Sequence, residues 1–239
     1  MTEETVTLER SNAPDGACVS HRPAARDDGP PRQRDDRFRR LLGPDAWQSL
    51  PPVVRDRFAK VLAPGTCRVF VGAVTETTLS RAGRCLARLA ILVGSPLPNT
   101  DGAKGPATVV VTEDLELGGQ IWTRTYGRPG SFPQTINSVK RFSGPTGMEE
   151  YLGRGLVMRL RLDAEGGALV FRSVGYDLVL GGRFFGGLRL PLPRVLTPGD
   201  CSITHRAEGV RRFTFTLALD HPWFGRLAHQ VAFFEEVVL

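Results

Sequence analysis

Three side chains that could bind an anion recur at every second position of one short segment. Trp122, Arg124 and Tyr126 lie within residues 120–126, and side chains two residues apart on a β-strand point to the same face. A guanidinium between two aromatic rings can hold a carboxylate or a phosphate, which predicts one wall of a binding pocket. The alternative is structural, because packing of Arg124 over the Trp122 ring at the sheet surface is a common cation–π arrangement.

A second set of candidates lies in a loop rich in glycine and proline. Phe184 and Phe185 stand between two glycine pairs within residues 181–199. Bulky apolar side chains on such a permissive backbone can form a mobile flap over a cavity, or a crossover packed under the sheet. With Tyr176 from the preceding strand, they complete the predicted ligand-binding set. Asp177 is expected to point outward, as the polar half of an alternating strand.

The histidines and cysteines predict no metal site and no cofactor. His205, His221 and His229 do not have ligand spacing with one another. The four cysteines include no Cys-x-x-Cys pair, so we expect reduced thiols in a cytoplasmic protein. Catalytic residues cannot be assigned, and whether the protein is an enzyme stays open.

These candidates must be positioned by a sheet. From about residue 107 to the end, apolar residues mostly recur every second position between Gly and Pro turns. We predict a mainly β (α+β) fold: a strongly curved antiparallel sheet or open barrel of about nine strands around one amphipathic helix, residues 79–93. Residues 227–238 fit a strand or a helix, and we favour a strand because a hairpin partner precedes them. Closure of such a sheet often leaves room for a small ligand.

The first part of the chain predicts a disordered tail followed by short helices. Residues 1–36 contain no aromatic residue and several prolines, so we expect a disordered tail before a single domain, residues 37–239. Short helices are expected after Phe38, as a lid or brace on the sheet. We expect no signal peptide and no transmembrane segment.

The net charge is +6, and only three of the 31 basic residues are lysines. An arginine bias of this kind follows from GC-rich coding, and no nucleic-acid-binding module is present, so we expect no nucleic-acid partner. Arg81, Arg84 and Arg88 form a stripe on the predicted helix. This stripe is either a solvated face or a contact for an anionic membrane.

Several segments, in order, resemble a bacterial family called domain of unknown function 4166. They are Phe38-Arg-Arg-Leu-Leu-Gly43 with Trp47, Gln120-Ile-Trp-Thr-Arg-Thr-Tyr126, Tyr176-Asp-Leu-Val-Leu-Gly181, Leu190-Pro-Leu-Pro193, and residues 212–219 with Pro222. The resemblance covers roughly residues 38–237. It implies no assigned activity and no catalytic residues. It also implies a link to oxidoreductases, since family members occur fused behind a saccharopine-dehydrogenase-like NAD(P) domain. No Gly-x-Gly-x-x-Gly motif follows a strand here, so such a domain would be a separate partner.

The leading functional prediction is the binding of a hydrophobic or lipid-like small molecule in a β-lined cavity, with Arg124 holding an acidic head group. One alternative is an enzyme or accessory subunit that works with a separate NAD(P)-dependent oxidoreductase. Another is a peripheral membrane-associated protein that uses the arginine stripe.

Overall fold

The computed structural model describes residues 35–92, 94, 97, 104–128, 130–181 and 188–238. Three short helices come first: α1 (Arg37–Leu42), α2 (Pro44–Ser49) and α3 (Pro52–Phe58). They are followed by β1 (Cys67–Leu79), α4 (Arg81–Leu92), β2 (Gly105–Glu113), β3 (Gln120–Arg128), β4 (Ser131–Arg141), β5 (Glu149–Gly153), β6 (Leu156–Glu165), β7 (Ala168–Leu180), β8 (Leu188–Pro191), β9 (Asp200–Ala207), β10 (Arg212–His221) and β11 (Gly225–Val237).

Ten of these strands form a closed antiparallel barrel. Neighbouring strands follow the order β6-β5-β4-β3-β2-β1-β11-β10-β9-β7, and pairing of β7 with β6 closes the ring. Strand β8 is an extra strand that pairs with β7 on the outside of this ring. The mainly β prediction is confirmed, and the sheet closes. Among the described strands, closure leaves only the short β8 with a free edge, which protects the sheet from pairing with other chains.

The alternating pattern places the predicted strands well. In β3, Gln120, Trp122, Arg124 and Tyr126 are all buried and alternate with half-exposed residues. The ambiguous segment at the end of the chain is the strand β11, which pairs with both β1 and β10. Two short strands, β5 and β8, were not predicted from the sequence, because neither is long enough to show a clear period of two.

Helices α1 to α3 plug one end of the barrel. The Phe38 side chain is fully buried, and its ring centroid lies 5.1 Å from that of Phe58 and 5.0 Å from that of Phe142. Phe171, on β7, contacts the same ring from the barrel interior. The short helices therefore brace the sheet, as predicted. Asp35, in the stretch assigned to the tail, is buried beside them and its N–H donates to the Ala59 carbonyl.

Helix α4 lies across the other end, the mouth of the barrel. It begins beside β11, where the Ser80 N–H donates to the Leu227 carbonyl and the Ser80 hydroxyl accepts from Gly83 N. It ends at the β5–β6 turn, where Arg154 Nη1 donates to the Leu92 carbonyl at 2.7 Å. These two points are about half the ring apart in strand order, and a 12-residue helix spans about 18 Å. The helix therefore bridges the mouth, and Leu79, assigned to it from the sequence, is the last residue of β1.

An ion cluster fastens β8 to the outside of the barrel. Asp177 points away from the interior, as expected, but it is buried because Arg189 of β8 covers it. Arg189 Nη1 lies 2.9 Å from Asp177 Oδ2, and the same guanidinium forms a second ion pair with Glu149 of β5.

Among the described residues, no helix is long and apolar enough to cross a membrane.

Candidate functional site

A cavity of about 250 Å³ lies inside the barrel, directly beneath α4. Leu86 and Leu89 of α4 form its roof. Its walls are mainly apolar and come from strands on opposite sides of the ring, with Ile136 of β4 on one side and Ile203 and Phe215 of β9 and β10 on the other. A cavity with such walls favours an apolar guest over water, because water needs two to four polar partners to be held there.

The cavity brings together three of the six predicted ligand-binding residues. Arg124 and Tyr126 of β3 and Tyr176 of β7 all lie on its wall, and each is less than one-tenth exposed. Burial raises the pKa of both tyrosines above 10, so each keeps its proton. Phe184 and Phe185 lie outside the described residues.

Trp122 faces the barrel interior, as the alternation predicts, but it does not line the cavity. It sits one interior position nearer the plug, where its ring contacts His205 edge-on at 5.9 Å. Two cations lie close to the indole ring: the Arg124 guanidinium carbon is 5.7 Å from its centroid and Lys140 Nζ is 4.8 Å away. The cation–π alternative therefore describes Trp122, although the contact lies inside the barrel and not at the sheet surface.

A charged network forms the floor of the cavity. Three donors converge on Glu150 Oε1: the Ser138 hydroxyl at 2.6 Å, Lys140 Nζ at 2.9 Å and Arg124 Nη2 at 3.4 Å. Arg124 also donates from Nη1 to the Ser138 hydroxyl at 3.1 Å. Among the described residues, nothing donates to Glu150 Oε2. Two cations therefore share one carboxylate, and the floor has an excess of positive charge.

Burial and pairing change the ionisation of this network in opposite directions. Burial lowers the pKa of Lys140 to about 8, and the nearby Glu150 carboxylate only partly offsets the effect. Burial also acts to raise the pKa of Glu150, but the charges of Lys140 and Arg124 outweigh it and bring the pKa to about 2. Near neutral pH Lys140 and Glu150 are therefore both charged, and the guanidinium of Arg124 beside them gives the floor its positive excess.

The other reactive side chains of the interior are held in unreactive forms. Burial lowers the pKa of His205 well below its usual value, so the ring is neutral, and aromatic rings surround it. Burial raises the pKa of the Cys201 thiol, on the cavity wall, to about 12, so little thiolate forms. Across the described part of the chain, no group of His, Cys, Asp or Glu side chains is arranged to hold a metal ion.

The sequence did not reveal the residues of the floor other than Arg124. Ser138, Lys140 and Glu150 are polar residues on the interior faces of β4 and β5, where the alternating pattern predicts apolar ones. Their signal was weak but present: Ser138 and Lys140 share a face with Ile136. A lysine in register with apolar neighbours indicates either a solvated face or a buried ion pair, and only the packing distinguishes them.

The position of α4 depends on one glycine. A Cβ at Gly83 would overlap the Leu227 carbonyl oxygen, so Gly83→Ala should push the helix away from β11. We expect Gly83→Ala to lower the free energy of unfolding by about 1–3 kcal/mol in urea denaturation. The matched control is Cys85→Ala, on the exposed face of the same helix, which should be close to neutral. Without the overlap, alanine would stabilise the helix by up to about 1 kcal/mol, so a more stable Gly83→Ala would contradict this packing.

The molecule is thus a closed ten-stranded barrel, plugged at one end and roofed by a helix at the other, around an apolar cavity with a basic floor. One family model matches the chain: "Domain of unknown function (DUF4166)", over residues 50–234. The chain belongs to this family, as the sequence resemblance indicated. The match runs from the end of α2 through nearly all of β11 and so includes every wall of the cavity. Neither the curated proteins nor the solved structures contain a match.

Proposed function

We propose that the protein binds a small amphiphilic molecule, with its apolar body in the cavity and an acidic head group at Arg124. The observation that carries this proposal is the position of Arg124: a guanidinium on the wall of a cavity that is otherwise mainly apolar. A ligand of this kind buries apolar surface and meets a charge-assisted hydrogen bond in the same site.

The charge of the floor favours an acid over an amine. Among the described residues, Glu150 is the one carboxylate paired with Arg124 and Lys140, and all three side chains lie away from bulk water. Attraction between charges is stronger in such surroundings than in water. A carboxylate or phosphate would balance the second cation, whereas an ammonium group would add a third positive charge.

The cavity volume limits the size of the ligand. A water-sized group occupies about 30 Å³, so about 250 Å³ holds about eight such groups. A medium-length acyl chain or one compact ring system fits this space. Burial at about 0.8 kcal/mol per methylene gives about 6 kcal/mol of gross apolar stabilisation, from which the entropic cost of association is subtracted, so the head-group contact matters for the net affinity.

The first test is native mass spectrometry of the purified protein, with a denatured sample as control. A mass excess that disappears on denaturation supports the proposal, and the released molecule then names the ligand class. Calorimetric titration with octanoate, octanol and octylamine tests the head group directly. We expect the order octanoate, then octanol, then octylamine, with octanoate favoured by about tenfold over octanol. Equal affinity for the acid and the amine would count against the role of Arg124.

Three variants separate the head group from the body of the ligand. Arg124→Gln should remove the preference for octanoate over octanol, while octanol still binds. Leu217→Trp, on the cavity wall, should weaken both ligands about tenfold or more by filling the space. The matched control is Leu190→Trp on β8, which is 41% exposed and should change neither affinity. Full binding by Leu217→Trp would place the ligand elsewhere.

An accessory role beside a separate NAD(P)-dependent oxidoreductase stays a second proposal, based on the fused members of the family. One observation favours keeping it: Trp122, Arg124 and Tyr126 all face the barrel interior, which a shared substrate pocket would require. Its test is a dehydrogenase-like gene beside this one, followed by activity of that enzyme with and without this protein. Activity that never depends on the protein would end the second proposal.

A further inference from the structure

We infer that the mouth of the barrel docks on an anionic lipid surface. The first observation is a set of exposed aromatic side chains around the mouth: Phe132 is 90% exposed, Trp223 68% and Phe224 60%. In α4, Leu89, Ile91 and Leu92 are also exposed. Aromatic and aliphatic side chains of this kind insert at the boundary between lipid head groups and acyl chains.

The topology places these side chains on one rim. Strand β1 ends at Leu79, immediately before α4, and its partner β11 begins at the same end of the barrel. The β10–β11 turn, which carries Trp223 and Phe224, therefore lies at the mouth. Strand β3 also ends there, so the start of β4, which carries Phe132, lies at the mouth too. The exposed helix residues lie in the roof between these segments.

The β10–β11 turn is a fixed feature of this rim. The Trp223 N–H donates to His221 Nδ1 at 3.2 Å, and the Phe224 ring lies 4.9 Å from the His221 ring. His221 itself is buried. The two large side chains are thus held outward by an ordered turn, which lowers the entropic cost of inserting them into another phase.

The charges around the mouth match an anionic partner. Basic residues of α4 and of the turns at this end are Arg81, Arg84, Arg88, Lys104, Arg128, Arg154, Arg194 and Arg226, whereas Asp200 and Asp220 are the acidic residues of the same described segments. At the plugged end, the acidic side chains of the β2–β3 and β6–β7 turns are balanced by basic ones such as Arg37, Arg40 and Arg68, so that end has no comparable excess of positive charge. A basic rim with apolar tips is the combination that binds bilayers containing anionic lipids, whereas a protein-binding patch is typically depleted of such charge at its centre.

Docking would give the proposed ligand a route between the bilayer and the cavity, and this purpose rests on the proposed function. The apolar cavity lies directly beneath α4, so a docked mouth would place it next to the acyl chains. An amphiphile could then move between the bilayer and the cavity without exposing its apolar body to water. The docking itself does not require that a ligand be bound, so the two can be tested separately.

The experiment is a titration of the full-length protein with vesicles, in which binding is measured by tryptophan emission and by sedimentation. The vesicles are phosphatidylcholine alone or mixed with phosphatidylglycerol. Trp47 and Trp122 are buried, whereas Trp223 is exposed, so a blue shift on binding reports chiefly on Trp223. We expect at least about tenfold tighter binding to the anionic vesicles, lost at about 1 M salt.

Matched variants define the surface. Trp223→Ser with Phe224→Ser should weaken vesicle binding about tenfold or more. Leu115→Ser with Val210→Ser, at exposed positions of the plugged end, should leave it unchanged. Arg81→Glu with Arg88→Glu should remove the preference for anionic vesicles.

Binding that ignores lipid charge, that survives loss of Trp223 and Phe224, or that is lost equally in the plugged-end variant would overturn the inference. A dimer formed through this rim in the absence of vesicles would do the same. If the protein binds octanoate normally but does not bind vesicles, the docking inference is rejected and the proposed function stands.

Discussion

Glu150→Gln is expected to lower the free energy of unfolding by about 3–5 kcal/mol, since removing one partner leaves buried charges uncompensated. Glu150 is the acceptor on which Arg124, Ser138 and Lys140 converge in the barrel interior. The amide keeps the shape of the side chain but removes the negative charge. Two cations then face each other without an anion between them. Urea denaturation followed by circular dichroism measures the loss.

Lys140→Met is the control that makes this result specific. It removes a buried charge too, but Glu150 keeps its contacts with Arg124 and Ser138, and the floor becomes neutral overall. We expect a change within about 1 kcal/mol, or a gain. The double variant should be more stable than Glu150→Gln alone, because only one unpaired cation remains. Equal losses in the two single variants would show that the network acts through packing, not through charge balance.

The pH dependence follows from the two shifted pKa values. The pKa of Glu150 is lowered to about 2 in the folded state, so its contribution is present above the unfolded pKa and is lost as pH falls toward 2. The difference between the wild type and Glu150→Gln should shrink over that range. The Lys140 effect has the same sign in a higher pH range: its folded pKa is lowered to about 8, so the unfolded state binds more protons and stability rises with pH from there to about 10.5. Without Glu150 that pKa falls further, so the variant should regain stability in alkali.

The sequence predicted the fold better than the site, and the barrel shows why. Strand patterns depend on local alternation, which is clear in segments such as β6 and β10, where apolar residues occupy every second position. Closure depends instead on pairings between strands that are far apart in the sequence, β1 with β11 and β7 with β9. Such pairings follow from the twist and shear of the whole sheet, which no single segment encodes.

The cavity site was half predicted for a related reason. Arg124 and Tyr126 were found because an arginine between aromatic residues on one face is unusual in itself. Lys140 and Glu150 were missed because each, read alone, looks like the solvated half of an alternating strand. They are recognised as an ion pair because the β4–β5 pairing places them opposite each other and because the plug keeps water from that end of the barrel. A buried ion pair between separate segments therefore leaves only an ambiguous signal in each segment.

The plug gives the second large effect, because the ring of Phe38 in α1 contacts both helix α3 and the barrel interior. Its ring meets Phe58 of α3, Phe142 and Phe171 of β7 in edge-on contacts, and none of its surface is exposed. Phe38→Ala should cost about 3–5 kcal/mol, from lost burial and from the cavity that remains. Leu42→Ala, at a half-buried position of the same helix, should cost less.

The slope of the urea transition decides what the plug does. If α1 to α3 fold together with the barrel, Phe38→Ala shifts the midpoint and leaves the dependence on denaturant unchanged, as in a two-state transition. If the plug can detach while the barrel stays closed, the variant shows a shallower slope or an early separate transition. The mixed origin of the Phe38 cluster, with rings from α1, α3 and β7, argues for a single transition. A barrel open at this end would expose Trp122 and the charged floor to water. An early transition in which tryptophan emission shifts to longer wavelength, while the far-ultraviolet circular dichroism signal persists, would therefore show that the plug can detach from the barrel.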